Sequence, residues 1–336
     1  MIYIIPLKTN FKTYTNILRQ TIREAKKQYY HRIFFNFKNN IKKTWIAIKE
    51  TLNRNNKTTK LPSVFYHNNQ IIQDPTDLAN AFNDYFINIG TTLSQHIESD
   101  TSHAYYLKNN YSNLDFKFKQ INESHILTII KKLKIKFSSG LDCISNNLIK
   151  HVSDVISKPL TLIVNQMLIT GIFPNKLKTS KVIPIFKKGD DTSISNYRPI
   201  SLLSSLSKIF EHVIADQLTE YLISHNLLCS EQFGFRTGYS TELAALQLVD
   251  KMINQVDEGN IPLNIYIDLS KAFDTLDHKI LAEKLSYYGI NNTNLNLFKN
   301  YLSNRDQLTE INGIQSNLQR IKQESHRVLF LGHYYF

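Results

Sequence analysis

The uneven distribution of charge along the chain is the feature that most constrains its architecture. The 336 residues have a formal net charge of +12, and residues 1–60 account for all of it, with 14 Lys and Arg against two acidic residues. The remaining 276 residues carry 26 basic and 26 acidic side chains. The sequence therefore predicts a basic arm, residues 1–60, joined to a neutral body, and such an arm is typical of proteins that bind polyanions.

The arm has the periodicity of an amphipathic helix. Apolar residues recur every three or four positions, at Phe11, Tyr14, Leu18, Ile22, Ala25 and Tyr29. Two interpretations of the Lys and Arg residues stay open. A basic helix favours nucleic acid as the partner, while a solvated basic face that keeps the protein soluble explains the same charges, because basic clusters are a weak motif.

Composition narrows the class of protein. The 336 residues are enough for two or three subdomains, and the 42% of hydrophobic residues can bury a sizeable interior. Cys143 and Cys229 form no C-x-x-C pair, so a disulfide scaffold and a cysteine zinc site are excluded. No run of 18 apolar residues occurs, and we expect no membrane partner. The sequence also lacks a P-loop motif and an H-E-x-x-H zinc motif.

Helical and strand-like patterns alternate in the body, which predicts a mixed α/β fold. We expect a short hairpin at 64–75, strands at 181–188 and 263–269, and a polar loop at 189–199. Asp74 and Asp277 are each predicted to cap the start of a helix. Further helices are expected at 123–134, 147–170, 202–224, where Ser201 is the candidate cap, and 241–256. Glycine-containing turns are expected at 138–145 and 231–241.

Three phrases follow one another in the body: KVIPIFKKGDDTSISNYRPISLLS at 181–204, QFGFRTGYST at 232–241 and IYIDLSKAFDTLDH at 265–278. Together they resemble the reverse transcriptase of non-LTR retrotransposons of the Jockey and CR1 type. SSGLDCISNNLIK at 138–150 resembles the phrase that precedes them, although the family usually has Gly where Cys143 stands. The resemblance covers most of residues 10–320. Since the endonuclease that usually begins such polyproteins is absent, we expect a chain shortened at its front.

The resemblance implies an α/β fold of the right-hand polymerase type. Its implied partners are an RNA template, a DNA primer and deoxynucleotide triphosphates, and its implied cofactor is Mg²⁺. The domains that we expect are a basic helical arm at 1–60, a helix-rich extension at 61–135, fingers at 136–260, a partial palm at 261–323 and a tail at 324–336.

The expected chemistry needs carboxylates. Polymerases join a 3′ hydroxyl to the α-phosphorus of a nucleotide, and two Mg²⁺ ions roughly 3.5–4 Å apart stabilise the attacking and leaving oxygens. Mg²⁺ prefers hard oxygen ligands. Asp268 stands at the end of the predicted strand 263–269. The resemblance makes Asp268 the first catalytic carboxylate and a metal ligand, and makes the Leu269 carbonyl a second ligand; the alternative is an ordinary aspartate at a strand end.

The resemblance also implies residues that contact the nucleotide. Arg198 matches the family best and Lys187 next. Cations at these positions would neutralise an incoming triphosphate. Lys188 is equally explained as a water-facing residue. Phe273 matches the steric-gate position, where a ring would collide with a ribose 2′ hydroxyl and so favour deoxynucleotides. By periodicity alone, Phe273 is as well explained as a core residue.

Two turns complete the set of candidates. Gln232, Gly234, Phe235 and Arg236 resemble the family's turn near template and nucleotide, where glycine allows close approach of a backbone; a plain turn explains these residues nearly as well. The pair Asp190-Asp191 lies in a polar loop, without an apolar strand before it. We therefore interpret this pair as a turn and not as a catalytic doublet.

Two family phrases do not occur after Asp268: a box of the form GVPQGSVLGPLLF and a hairpin with aromatic-x-Asp-Asp. One allowed coding string for Gln323–Phe336, read from the third base of the Gln323 codon, translates as GVPQGSVLGPLLF. We therefore expect a frame change near Lys322–Gln323 and an out-of-frame tail at 324–336. The expected polymerase is inactive, because Asp268 lacks partner carboxylates. The alternatives are a non-catalytic nucleic-acid-binding remnant that uses residues 1–60, and a pseudogene product without a role.

Overall fold

The chain divides into two compact units, Met1–Pro62 and Ser63–Phe336. A computed structural model describes residues 4–37, 40–51, 61–62, 64–67, 70–94, 113–268 and 276–321. Within these ranges, no helix combines the length and the apolar character needed to cross a membrane.

The first unit consists of two helices, α1 (Ile4–Phe37) and α2 (Ile41–Thr51). The side chain of Asn40 caps α2, since its Oδ1 accepts a hydrogen bond from the Lys43 backbone N–H at 3.1 Å. The aromatic residues of α1 do not form a core, because Phe11 and Tyr14 expose 75% and 72% of their surface. The described side chains of this apolar stripe are therefore not buried within the first unit.

The second unit is a mixture of helices and strands, which confirms the predicted mixed α/β class. Its helices are α3 (Pro75–Ser94), α4 (Glu123–Lys132), α5 (Asn146–His151), α6 (Ser153–Thr170), α7 (Ser205–Ser224), α8 (Thr241–Asp257), α9 (His278–Tyr287) and α10 (Asn292–Leu302). Its strands are β1 (Phe65–His67), β2 (Gln70–Ile72), β3 (Thr179–Phe186), β4 (Tyr197–Leu202), β5 (Asp306–Ile311), β6 (Ile314–Gln315) and β7 (Gln319–Arg320).

One sheet organises the second unit, with the strand order β4-β3-β5-β6 and with β7 also paired to β5. β3 pairs antiparallel with β4 and parallel with β5. The Lys181 Nζ lies 3.3 Å from the Glu310 Oε1, an ion pair between β3 and β5 in which both side chains are largely buried. β1 and β2 form a separate antiparallel hairpin, as predicted for 64–75.

The apolar interior lies mainly between helices. Residues of α4, α6, α7, α9 and α10 form one cluster, in which Val164, Ile209, Val213 and Leu297 are fully buried. Burial of one such side chain stabilises the fold by roughly 1.5–3 kcal/mol. The helices therefore share one apolar interior.

The predicted helix starts at Asp74 and Asp277 are confirmed. The Asp74 carboxylate accepts hydrogen bonds from the backbone N–H groups of Thr76 and Asp77 at 2.8 and 3.0 Å. The Asp277 carboxylate accepts from the N–H groups of the second and third residues after it at 2.6 and 3.2 Å. Both aspartates pair amide groups that have no partner within the helix.

Three predictions of element boundaries are wrong. The polar loop does not reach residue 199, because β4 begins at Tyr197. Ser201 is not a helix cap, since it pairs with Val182 in the sheet, and the Ser204 hydroxyl caps α7 instead, accepting from the Leu206 N–H at 3.1 Å. The helix expected at 147–170 is broken at Val152, whose φ and ψ of −104° and 13° separate α5 from α6. A β-branched residue has a low helix propensity, which suits it to this break.

The predicted strand 263–269 is not formed by its described residues. Residues 261–268 have no regular structure, and Ile265 and Ile267 expose 79% and 83% of their surface. A strand needs a neighbour that pairs its N–H and C=O groups. In the described part of the chain, β3 is already flanked by β4 and β5, and no strand pairs with 261–268.

The glycine-containing turn before α5 is held against the start of α7. A Cβ added to Gly140 would lie 2.7 Å from the Ser204 backbone nitrogen, so this close approach requires glycine. The Asp142 carboxylate accepts hydrogen bonds from the Ser204 hydroxyl and, at 3.1 Å, from the Ile144 N–H. Cys143, where the family usually has Gly, has a φ of +56°, in the left-handed region that L side chains rarely adopt.

The substitution Cys143→Gly is expected to raise the free energy of unfolding by about 1 kcal/mol, because glycine adopts this conformation without the steric cost of a Cβ. The Cys143 side chain is exposed, so little packing is lost. Urea unfolding followed by circular dichroism measures the change. Gly140→Ala is the control and is expected to destabilise the protein. A loss of stability in Cys143→Gly would contradict the prediction.

A buried cation lies beside β3. The Lys178 side chain is 1% exposed, and its Nζ donates a hydrogen bond to the Asn300 Oδ1 at 3.0 Å. Burial, together with the positive charges of Arg305 and Arg320, lowers the pKa of Lys178 from 10.5 to about 8. The folded protein therefore releases this proton at a lower pH than the unfolded chain does.

Stability is expected to rise with pH between about 8 and 10.5, because there the unfolded chain keeps a proton on Lys178 that the folded protein has released. The contribution is at most ~3 kcal/mol. Lys178→Met removes it. The difference in unfolding free energy between the variant and the wild type should therefore be largest below pH 8 and shrink towards pH 10.5. Urea titrations at several pH values measure this difference, and a constant difference would contradict the assignment.

Candidate nucleotide and nucleic-acid interface

The β3–β4 hairpin brings two predicted cations together. Arg198 lies in β4 directly opposite Ile185 of β3, and the Lys187 backbone N–H donates to the Asn196 carbonyl at 2.9 Å just beyond the strands. Side chains two positions apart in a strand share one face of the sheet. Lys187 therefore lies on the same face as Ile185 and Arg198, and all three residues are exposed.

The loop of this hairpin is held by its own hydrogen bonds. The Asp190 Oδ1 accepts from the N–H and the hydroxyl of Thr192 at 2.9 and 2.7 Å. These bonds lower the pKa of Asp190. The interpretation of Asp190-Asp191 as a turn is thereby confirmed.

Tyr197 anchors the loop from inside the hairpin. Its hydroxyl donates to the Asp191 carbonyl at 2.7 Å, and the residue is 6% exposed. Burial and then the charges of Asp191 and Asp190 raise the pKa of Tyr197 to about 12. The hydroxyl therefore stays a donor throughout the neutral and mildly alkaline range.

The turn that contains Gln232 and Arg236 is folded back on itself. The Arg236 Nη1 donates to the Cys229 carbonyl at 2.8 Å, and its guanidinium lies 4.1 Å from the centre of the Tyr239 ring. Phe235 has a φ of +61° and is half exposed. An added Cβ on Gly234 would meet no atom within 4 Å, so the space beside this glycine is open.

A shallow cleft of about 650 Å³ adjoins this turn. Its lining residues are Phe233, Gly238, Tyr239, Leu243, Leu246, Gln247 and Asp250. The rings of Phe233 and Tyr239 pack edge to face, with centroids 5.4 Å apart. An apolar and aromatic surface of this kind can stack on a flat ring.

Asp268 lies at the end of the exposed segment 261–268, whereas Leu269 and Phe273 lie outside the described residues. Among the residues that the structure describes, no three His, Cys, Asp or Glu side chains form a group that could hold a metal ion. The donor set of the described residues therefore does not fit a pair of Mg²⁺ ions, which needs several hard oxygen ligands. The catalytic roles of Asp268, Leu269 and Phe273 stay predictions.

The sequence alone did not identify one part of this interface. Phe65 and Phe82 pack against Tyr197, which lies more than 100 residues further along the chain. Phe82 lies in an apolar stripe of α3, but such a stripe does not indicate its partner. No local signal in the sequence could have shown this contact.

Part of the chain is similar to a known protein family. A family model described as reverse transcriptase (RNA-dependent DNA polymerase) matches residues 185–331, a segment that includes Lys187, Arg198 and Asp268. This segment is therefore similar to reverse transcriptase domains.

Several relatives of the chain are named as RNA-directed DNA polymerases of mobile elements. It is 33% identical over 199 residues to a probable RNA-directed DNA polymerase from transposon BS of Drosophila melanogaster, which covers 57% of this chain and 21% of that protein. It is 29% identical over 197 residues to the RNA-directed DNA polymerase from mobile element jockey of the same species. This match covers 58% of this chain and 21% of that protein. The matches thus span about a fifth of the length of these relatives.

These similarities confirm the predicted resemblance: the chain is related to the reverse transcriptases of non-LTR retrotransposons. The family match ends at residue 331, whereas the described residues end at 321. The expected frame change and the tail at 324–336 lie outside the described residues and stay predictions.

Proposed function

We propose that the chain is the nucleotide-binding part of an RNA-directed DNA polymerase of the non-LTR retrotransposon type. The observation that carries this proposal is the pair Lys187 and Arg198, which share one exposed face of the β3–β4 hairpin inside the family match. The substrates would be deoxynucleotide triphosphates, and the partners would be an RNA template and a DNA primer.

In this proposal, residues 136–260 are the fingers and residues 261–323 a partial palm. The guanidinium of Arg198 would bind two phosphate oxygens at once, and the ammonium of Lys187 would act as a second, more flexible charge. Gln232, Gly234, Phe235 and Arg236 would lie near the template and the nucleotide. The open space beside Gly234 supports this placement, because a partner can approach the backbone there.

Arg198→Ala is expected to weaken the binding of a deoxynucleoside triphosphate about tenfold, because one charge-assisted contact of roughly 1.4 kcal/mol is lost. Lys187→Ala should weaken it by a smaller factor. Fluorescence anisotropy with a base-labelled triphosphate measures both affinities. Lys188→Ala is the matched control, since Lys188 is an exposed neighbour with the same charge. Equal losses in all three variants would reject a specific triphosphate contact.

The chemical step makes a further demand on the chain. Asp268 alone gives weak Mg²⁺ binding, because the ion surrenders its water reluctantly. We therefore expect no template-directed primer extension by the purified chain. Magnesium-dependent extension that is abolished by Asp268→Ala would overturn this expectation and establish Asp268 as catalytic.

Binding of nucleic acid by α1 is a second candidate function. With 3.6 residues per turn, Arg19, Arg23, Lys26 and Lys27 fall in one sector roughly 100° wide, beside the apolar stripe. All four side chains are exposed. A continuous basic sector follows a row of phosphates better than scattered charges do.

Replacing Arg19, Arg23 and Lys27 together by Gln is expected to weaken binding of a DNA duplex and to reduce the slope of log K against log salt by about two to three units. Anisotropy titrations at several salt concentrations give the slope. The control replaces Lys158, Lys176 and Lys279, three exposed lysines of the second unit, by Gln. If the control lowers the slope as much as the α1 variant does, net charge and not the basic sector of α1 carries the binding.

A further inference from the structure

The β3–β4 hairpin rests on a part of the chain that precedes the family match. The ring of Phe82 from α3 lies 5.1 Å from the ring of Tyr197 in β4, and the ring of Phe65 from β1 lies 5.8 Å from it. Phe65 and Phe82 are both fully buried and pack edge to face at 5.5 Å. On its other side, Tyr197 contacts Phe186 of β3 at 5.5 Å.

A backbone hydrogen bond joins the same two regions. The Tyr66 N–H donates to the carbonyl of Thr192, in the loop of the hairpin, at 3.0 Å. The Tyr66 side chain is 55% exposed, so the backbone of Tyr66 makes the connection. The loop is therefore held both by the hydrogen bonds between Asp190 and Thr192 and by the bond from β1.

α3, which carries Phe82, is itself bonded to the sheet. Asn83 of α3 is fully buried, and its Oδ1 accepts hydrogen bonds from the side chains of Gln307 and Thr309 in β5 at 3.1 and 3.2 Å. Its Nδ2 donates to the Asn317 carbonyl at 3.1 Å. α3 thus spans from β5 to the aromatic cluster under β4, and a shift of α3 would move the hairpin relative to the sheet.

We infer that residues 64–94 position the β3–β4 hairpin for binding the triphosphate. The segment lies outside the family match at 185–331, yet it supplies the packing under Tyr197 and a hydrogen bond to the loop that separates Lys187 from Arg198. The backbone of Tyr66 and the ring of Phe82 are the positioning groups, and neither touches the nucleotide. The role in binding rests on the proposed function; the role in holding the hairpin does not.

Tyr66→Pro deletes the N–H that bonds to Thr192, and it costs little packing because the Tyr66 side chain is 55% exposed. Proline suits an extended strand, and Phe65 before it is already in a strand. Ile71→Pro is the matched control. Tyr66 and Ile71 are opposite each other in the β1–β2 hairpin. The Tyr66 N–H bonds to Thr192 and not to β2, so the two residues form a non-hydrogen-bonded pair. The Ile71 N–H therefore also points away from the partner strand.

Hydrogen exchange of the full chain is the first readout. In Tyr66→Pro, the Lys187 amide, which is bonded to Asn196, is expected to exchange about five- to tenfold faster, while amides of α7 stay unchanged. Ile71→Pro should leave the Lys187 amide as it is in the wild type. The inference is overturned if both variants affect this amide equally, or if neither does.

Triphosphate affinity is the second readout. Tyr66→Pro is expected to weaken binding severalfold, and Phe82→Ala more strongly, with partial rescue by Phe82→Leu. Phe298→Ala is the control for Phe82→Ala, since Phe298 is equally buried but lies in the helical cluster. A wild-type chain that binds no triphosphate, but whose Lys187 amide responds to Tyr66→Pro, refutes the proposed function and keeps the positioning role. Binding that is insensitive to Tyr66→Pro and Phe82→Ala refutes the role in binding.

Discussion

The parallel pairing of β3 with β5 is the constraint on which the rest of the second unit depends. It joins Thr179–Val182 to Asp306–Thr309, segments that lie far apart in the sequence. Parallel strands cannot be connected by a tight turn, so the chain between them must cross over, and α7 to α10 lie in this connection. Because the other edge of β3 pairs with β4, the same strand also sets the place of the hairpin. The positions of Lys187 and Arg198 therefore depend on the pairing of β3 with β5, which lies several residues away from both.

Features that depend on neighbouring residues could be predicted from the sequence. The caps at Asp74 and Asp277, the Asp190 turn and the strand β3 are of this kind, because an aspartate or an apolar run acts over a few residues. The prediction for Ser201 shows where this reasoning stops. Ser201 and Ser204 are equally good caps by residue type, and only the pairing of β4 with β3 decides between them. A local pattern carries no information about that pairing.

The candidate site also contains residues that the sequence could indicate and residues that it could not. The family resemblance indicated Lys187 and Arg198, and the structure places both on one face of the hairpin. The resemblance could not indicate Phe65 and Phe82. Apolar residues in a stripe show that a helix packs against a core, but not which residues they contact there. The apolar run within the strand predicted at 263–269 led to the opposite error. Such a run is typical of a buried strand, and the described residues provide no neighbouring strand to bury it.

The proposed binding of a triphosphate and the proposed metal chemistry depend on different parts of this fold. The cations belong to the β3–β4 hairpin. It is paired with β5 through β3, and its Tyr197 packs against Phe82 of α3, which is anchored to β5 through Asn83. Asp268 ends a segment whose apolar side chains are exposed, with Ile261 at 96% and Leu263 at 87%. A carboxylate serves a metal ion only if its backbone is held, because the ligand geometry of Mg²⁺ is strict. In the described part of the chain no strand pairs with 261–268, so the position of the hairpin that carries Lys187 and Arg198 does not depend on such a pairing.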